Sequence, residues 1–155
     1  QLVGVNLDIY DILFFLTTIW IGPFWIAMLI YPNHDFTEKM MKTHWSFMGP
    51  IFIWLLVIIS DSRSLIEAGE VLTEGGIKPE NIMESLVTLL GTKSGAAAAW
   101  SHMVAGDIFI TRWMWRRCLD QDRENWIRWI SVFFGVMLMP LGVILHILLT
   151  RDKKN

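Results

Sequence analysis

The sequence lacks most of the motifs that mark common enzyme classes. It has no phosphate-binding loop, no glycine-rich dinucleotide pattern, no nucleophile elbow and no zinc-type spacing of cysteine and histidine. Its apolar segments lack the Glu-x-x-His pattern of di-metal oxidases. The single cysteine, Cys118, excludes a disulfide within the chain. These absences argue against nucleotide chemistry and predict no dedicated protein metal site.

Charge is also scarce. Charged residues make up 18% of the 155 residues, below the roughly 25% that is usual for soluble domains. The net charge of −2 argues against nucleic acid as a partner, because phosphate binding favours a basic surface. Hydrophobic residues make up 54% of the chain, above the usual share of about 45–50%. The composition therefore favours a membrane protein.

Four apolar segments stand out, at about 9–30, 44–60, 95–115 and 126–150. A helix needs about 20 mainly apolar residues to cross a bilayer, and backbone groups in lipid must bond within the segment. The sequence therefore predicts an all-α fold: a four-transmembrane-helix bundle that forms a single membrane domain over residues 1–155.

The long joint between the second and third segments, residues 61–94, carries six acidic residues. Within it, 64–72 and 81–90 have helical apolar spacing, and two glycines separate them. The second of these stretches is apolar on most sides. The joint is therefore predicted to hold an amphipathic segment at the membrane interface.

Tryptophans mark one end of the predicted bundle. In an up-and-down arrangement, the short joints 31–43 and 116–125 share one membrane face, and tryptophan rings favour the membrane–water boundary. This arrangement predicts that both termini and the long joint lie on the opposite face. The residues that would gather at the tryptophan face are Trp25, Tyr31, Trp45, Trp113, Trp115, Trp126 and Trp129.

The third segment contains the stretch AWSHMVAGDIFITR, residues 99–112, with three ionisable side chains. Asp107 is predicted near the middle of the membrane, where an ionised carboxylate is costly unless it is paired. His102 and Arg112 each lie about 140° from Asp107 around the helix. Two interpretations stay open: these residues join helices together, or Asp107 is a proton donor or ligand anchor.

His146 in the fourth segment is predicted to lie at nearly the same depth as His102, about 4 Å apart along a straight bundle. Paired histidines at one depth suggest axial ligands for haem or for the magnesium of chlorophyll. Too few histidines are available for a multihaem carrier. A structural histidine with satisfied hydrogen bonds is the alternative for either residue.

Three stretches, GPFWIAMLIYP, AWSHMVAGDIFITR and PLGVILH, resemble the abscisic-acid-deficient-type neoxanthin synthase family. The most distinctive elements are Trp100-x-His102, Asp107-x-Phe109, Arg112 and the proline–glycine–histidine pattern that ends at His146. One departure is Lys93, where the family favours an acid. The resemblance implies a four-span protein of the plastid thylakoid or envelope that works on carotenoids.

The resemblance also implies site residues. Converting violaxanthin into neoxanthin opens an epoxide without net redox change and needs an acid and a base. Asp107 is predicted as the acid and His102 as the base if the chain is an enzyme. Carotenoid or chlorophyll is predicted to contact the residues Trp100, His102, Arg112 and His146, with the two histidines as candidate magnesium ligands if chlorophyll binds.

Two functions remain open at this point. A membrane chain of 18.0 kDa fits a pigment-associated accessory subunit of a photosystem–antenna complex, with lipid, pigments and other membrane subunits as partners. The alternative is an epoxy-xanthophyll isomerase. The nine tryptophans and nine phenylalanines suit both, because both need flat apolar surfaces for polyenes.

Overall fold

The computed structural model describes residues 7–75 and 78–151, and within these ranges the chain is helical without any strand. The predicted all-α class is therefore confirmed. The helices are α1 (Ile9–Ile30), α2 (Asp35–Lys42), α3 (Trp45–Ser60), α4 (Ser62–Gly75), α5 (Pro79–Leu90), α6 (Lys93–Asp120), α7 (Asn125–Met137) and α8 (Met139–Thr150).

Two stretches of the described chain are long and apolar enough to cross a membrane. They are Ile9–Ile30, which is α1, and Asp35–Ser60, which takes in α2 and α3. The predicted third segment lies within α6, which has 28 residues but carries Asp107 and Arg112 in its apolar part. The first two segments are therefore confirmed as candidate spans. The third and fourth segments do not meet the same requirement of length and hydropathy.

The fourth segment differs from its prediction. Instead of one helix over 126–150, the chain turns at Leu138, and α8 packs back along α7 in the opposite direction. Ser131 Oγ lies 3.0 Å from His146 Nδ1, and Arg123 donates to the Thr150 carbonyl oxygen at 2.8 Å. The end of α8 thus returns to the joint that precedes α7, so the predicted position of the C-terminal end, on the face opposite that joint, is wrong.

Proline and glycine explain this helical hairpin. Pro140 has no N–H group, and its ring clashes with the carbonyl oxygen four residues earlier in a continuous helix. Gly135 and Gly142 then let the two backbones approach closely, because a Cβ atom on Gly142 would lie 2.5 Å from the Gly135 nitrogen.

The long joint folds as predicted into two helices, α4 and α5. The chain then enters α6 through a capped turn: Thr92 Oγ1 accepts a hydrogen bond from the Gly95 N–H at 2.9 Å. A Cβ atom on Gly95 would collide with the Leu89 carbonyl oxygen, so only glycine allows the end of α5 to lie this close to α6. Gly76, the second glycine of the predicted separator, lies outside the described residues.

Contacts divide the chain into two compact units. The first takes in the residues up to Thr17 and Pro50–His102, and the second takes in Thr18–Gly49 and the residues from Met103 on. The single membrane domain over 1–155 stays a prediction. The core of the first unit contains Ile53, Val57, Ala97 and Ala98, and that of the second contains Met28, Met41, Ile108, Trp115 and Val132.

Candidate functional site

The first unit contains an apolar pocket of about 300 Å³. Its walls come from one face of α3 and one face of α6, closed by the start of α4 and the end of α5. Residues three, four or eight apart share a helix face, which is why these side chains line one space. The lining residues are Trp54, Val57, Ile58, Asp61, Ser64, Leu89, Leu90, Ser94, Gly95, Ala98, Ala99 and His102.

One end of the pocket is polar and centred on Asp61. Ser94 Oγ donates to Asp61 Oδ2, and Ser64 Oγ donates to the same oxygen at 2.8 Å. The hydrogen bonds from Ser94 and Ser64 hold the pKa of the Asp61 carboxyl below its ordinary value of 3.8. Asp61 is therefore ionised at neutral pH and can accept hydrogen bonds from a ligand.

An ion pair holds the start of α6 beside α1. Lys93 Nζ lies 2.7 Å from Asp11 Oδ2 and 4.0 Å from Asp8 Oδ2. Lys93, where the resemblance led us to expect an acid, instead provides a positive charge beside these two carboxylates. The neighbouring Ser94 is buried, and its hydroxyl group bonds Asp61.

The pocket also contains His102, the predicted base. His102 is exposed, and its ring centroid lies 6.2 Å from that of Trp54, with the planes tilted by 45°. Trp100 does not line the pocket but stacks on Phe14, with ring centroids 5.1 Å apart. The pocket therefore offers an imidazole and an ionised carboxylate on largely apolar walls.

Asp107 and Arg112 belong to the second unit, and His102 belongs to the first. Asp107 is half-buried, and its backbone carbonyl accepts a hydrogen bond from Thr111 Oγ1 at 2.6 Å. The Arg112 Nε atom is buried, and within 7–75 and 78–151 it has no hydrogen-bond partner. The roles predicted for Asp107 as an acid, for Arg112 as a pigment contact, and for both in joining helices stay predictions.

His146 is fully buried in the second unit. Its Nδ1 atom lies 3.0 Å from Ser131 Oγ and 3.8 Å from Cys118 Sγ, and its ring packs edge-on against Trp113. The predicted pairing with His102 assumed a straight fourth helix, an assumption that the hairpin removes. Complete burial favours a packing role for His146, since a magnesium ligand must be open to the pigment ring.

Sequence patterns alone did not single out Asp61, Ser94 or Trp54. Asp61 is one of six acidic residues in the joint 61–94, and Ser94 lies just before the predicted start of the third segment. A signal was nevertheless present, because Trp54 and Asp61 are seven residues apart and Ser94 and His102 are eight apart, so each pair shares a helix face.

The fold and the pocket together define a class of protein. It is all-helical in its described residues, two helical stretches are long and apolar enough to cross a membrane, and one pocket has apolar walls and a polar end. A family model described as ABA DEFICIENT 4-like matches residues 12–146. The chain therefore belongs to the ABA4-like family, which confirms the resemblance found in the sequence.

One curated relative is Protein ABA DEFICIENT 4, chloroplastic, from Arabidopsis thaliana. It is 22% identical to the chain over 126 residues, which cover 80% of this chain and 54% of the relative. The chain thus spans about half the length of the curated relative that it matches. No solved structure matches the chain.

Proposed function

We propose that this chain is an integral protein of a plastid membrane that holds one ring end of a xanthophyll in the pocket of the first unit. The observation that carries the proposal is the lining of that pocket, which combines apolar walls with the Asp61 carboxylate and the His102 imidazole. Membership of the ABA4-like family and the chloroplast relative support the pigment class and the compartment.

The pocket suits the chemistry of such a ring. A xanthophyll ring is a methylated apolar ring with a hydroxyl group and, in epoxy-xanthophylls, an epoxide oxygen. The ionised Asp61 carboxylate can accept a hydrogen bond from the hydroxyl group, and Trp54 offers an aromatic surface to the ring. A volume of about 300 Å³ lies at the lower end of ordinary ligand pockets, so it takes a ring end while the polyene lies outside.

Isomerisation of an epoxy-xanthophyll is the second candidate function, because His102 lines the same pocket. Ser94, which bonds Asp61, precedes His102 by eight residues, a rise of about 12 Å along α6. A ring bound with its hydroxyl group at Asp61 would lie in the pocket that Asp61 and His102 both line. In this arrangement Asp61 anchors the substrate. His102 accepts the proton from the chain carbon next to the ring as the allene forms and the epoxide C–O bond breaks, and a proton from the imidazole completes the hydroxyl group on the former epoxide oxygen. Asp107 is not among the lining residues.

We propose a membrane arrangement in which α1, the α2–α3 stretch and α6 cross the bilayer and the α7–α8 hairpin enters it from one side. This replaces the predicted fourth crossing. With 13 residues, α7 is about 20 Å long, which is shorter than a hydrocarbon core of about 30 Å. A helical hairpin satisfies most of its backbone hydrogen bonds internally, as a segment in lipid must.

An accessory role in a photosystem–antenna complex remains part of the proposal, with chlorophyll, lipid and other membrane subunits as partners. The large exposed apolar side chains on α1, α3 and α8 support it, since they can contact pigments and neighbouring subunits as well as lipid. Co-migration of the chain with pigmented complexes on a native gel, from separated thylakoid and envelope membranes, tests this role and the location.

The central experiment produces the full chain in a host whose membranes contain an epoxy-xanthophyll, followed by purification in a mild detergent. Bound pigment is extracted and separated by chromatography. The variants are Asp61→Asn and His102→Ala, and the matched control is Met103→Ala, an exposed residue next to His102 that does not line the pocket.

The binding site is supported if pigment co-purifies with the native chain and the control but is reduced in Asp61→Asn. The isomerase function is supported if the native chain forms the allenic isomer and His102→Ala retains pigment but forms no isomer. Equal pigment content in all four proteins contradicts the pocket assignment.

A further inference from the structure

The second unit has an open groove of about 550 Å³, well separated in sequence from the pocket residues. It is formed by the end of α1, the turn at residues 31–34 and the first turn of α7. Neither the pigment proposal nor the hairpin uses it. Its polar and aromatic lining residues are Tyr31, Asn33, His34, Asn125, Arg128 and Trp129.

A buried positive charge lines this groove. Arg128 is 9% exposed, and its Nη2 atom donates to Asn125 Oδ1 at 2.7 Å. Within the described ranges of the chain, no carboxylate oxygen lies within 4.0 Å of this guanidinium group. A buried charge without a counterion is unfavourable, so the groove would be stabilised by an anion from outside the chain.

The other polar groups of the groove are mainly donors. His34 Nδ1 accepts the Phe36 N–H at 3.1 Å, so a neutral His34 ring carries its proton on Nε2. The Asn125 oxygen is occupied by Arg128, which leaves the amide N–H groups of this side chain.

The groove lining contains no aspartate or glutamate. The acids nearest in sequence are Asp35 and Glu124, and Glu124 accepts a hydrogen bond from Trp126 Nε1 at 2.8 Å. Neither acid lines the groove. With a buried cation, several donors and no carboxylate, the groove is suited to an anion.

Aromatic residues indicate where that anion would come from. Tyr31 is 60% exposed and Trp129 is 51% exposed, and such rings favour the membrane–water boundary. Phosphate and sulfonate headgroups of anionic lipids lie at this boundary. We propose that the groove binds the anionic headgroup of a membrane lipid, with Arg128 as its main contact. The proposal rests on the membrane placement above, but not on xanthophyll binding.

The test uses the full chain, purified and stripped of lipid in a neutral detergent. Phosphatidylglycerol and phosphatidylcholine are titrated separately, bound lipid is counted by native mass spectrometry, and the thermal midpoint is followed. Arg128→Gln removes the charge, and Asn33→Asp places an acid in the groove at an exposed position that leaves the core intact. Arg63→Gln, an exposed arginine of α4, is the matched control.

We expect the native chain and Arg63→Gln to bind phosphatidylglycerol more tightly than phosphatidylcholine. Losing a charge-assisted hydrogen bond should weaken phosphatidylglycerol binding by about 10- to 100-fold in Arg128→Gln, and the repulsive acid should weaken it in Asn33→Asp. Added salt should weaken the native interaction, since the groove is open to solvent and ions can screen the headgroup bound in it.

Equal binding of the two lipids by the native chain would overturn the proposal, as would native-like phosphatidylglycerol binding by a folded Asn33→Asp variant. Displacement of the lipid by inorganic phosphate at matched concentration would assign the groove to a free anion instead. A chain that stays monodisperse without detergent would contradict the membrane placement itself, which separates that failure from a failure of the lipid site.

Discussion

At the residue scale, His102 and His146 show how far one side chain type can differ between two environments. His102 is exposed at the edge of an apolar pocket and touches Trp54. His146 is fully buried and bonds Ser131. An exposed histidine is available to a ligand, whereas a buried and bonded one contributes to stability, so the two should respond differently to truncation.

We expect His146→Ala to lower the free energy of unfolding by roughly 2–4 kcal/mol, because it leaves a cavity in a fully buried site and removes the contact with Ser131. His102→Ala should leave stability nearly unchanged, because this side chain is exposed. Denaturant unfolding in detergent, followed by circular dichroism, measures the first effect. His44→Ala, another exposed histidine, serves as the control. Equal destabilisation by His102→Ala and His146→Ala would contradict this distinction.

Asp61 predicts a pH dependence. Its folded pKa lies below its ordinary value of 3.8, so the bonded carboxylate stabilises the fold above that pH. The stabilisation is lost as the pH falls through the lowered folded pKa. The thermal midpoint of the native chain should therefore fall more between neutral and strongly acidic pH than that of Asp61→Asn. Parallel pH profiles for the two proteins would rule out this contribution.

At the element scale, the α7–α8 hairpin depends on close backbone contact at Gly142. A methyl group there meets the Gly135 backbone, so Gly142→Ala should lower the free energy of unfolding by about 1–3 kcal/mol through overpacking. Gly106→Ala is the control, because a Cβ atom at Gly106 has no neighbour within 4 Å in the described chain. Alanine favours a helix over glycine by about 1 kcal/mol, so the control should be neutral or slightly stabilised. Unfolding in detergent compares the two, and a neutral Gly142→Ala would show that the hairpin packs differently.

At the scale of the whole molecule, the hairpin changes the membrane topology. The Arg123–Thr150 hydrogen bond places the end of α8 beside the joint that follows α6. The variants Asp122→Cys and Arg151→Cys, each in a chain with Cys118→Ser, carry a single cysteine. Both should therefore react with an impermeant thiol reagent from the same side of oriented vesicles. A cysteine at Lys78, in the long joint, marks the side predicted to be opposite. If positions 122 and 151 are labelled from opposite sides, the result would contradict the hairpin and support a single fourth membrane-spanning helix.

Much of the fold follows from local sequence. The apolar segments at 9–30 and 44–60 predicted α1 and α3 closely, and the spacing within 61–94 predicted both α4 and α5. Of the site, His102 was predicted to carry chemistry and lines the pocket. Periodicity and chain breakers predict such features because they act over a few residues, through backbone hydrogen bonding and the burial of one helix face.

The sequence by itself thus determined the helical class, the family and most helix bounds. Only the tertiary structure decided that α8 folds back on α7, since an apolar run such as 126–150 satisfies lipid equally well as one helix or as two. That choice depends on contacts between distant residues, above all Gly135 with Gly142 and Ser131 with His146. The pocket could not be predicted from the sequence for the same reason: it depends on a contact between distant residues, in which α6 brings Ser94 against Asp61.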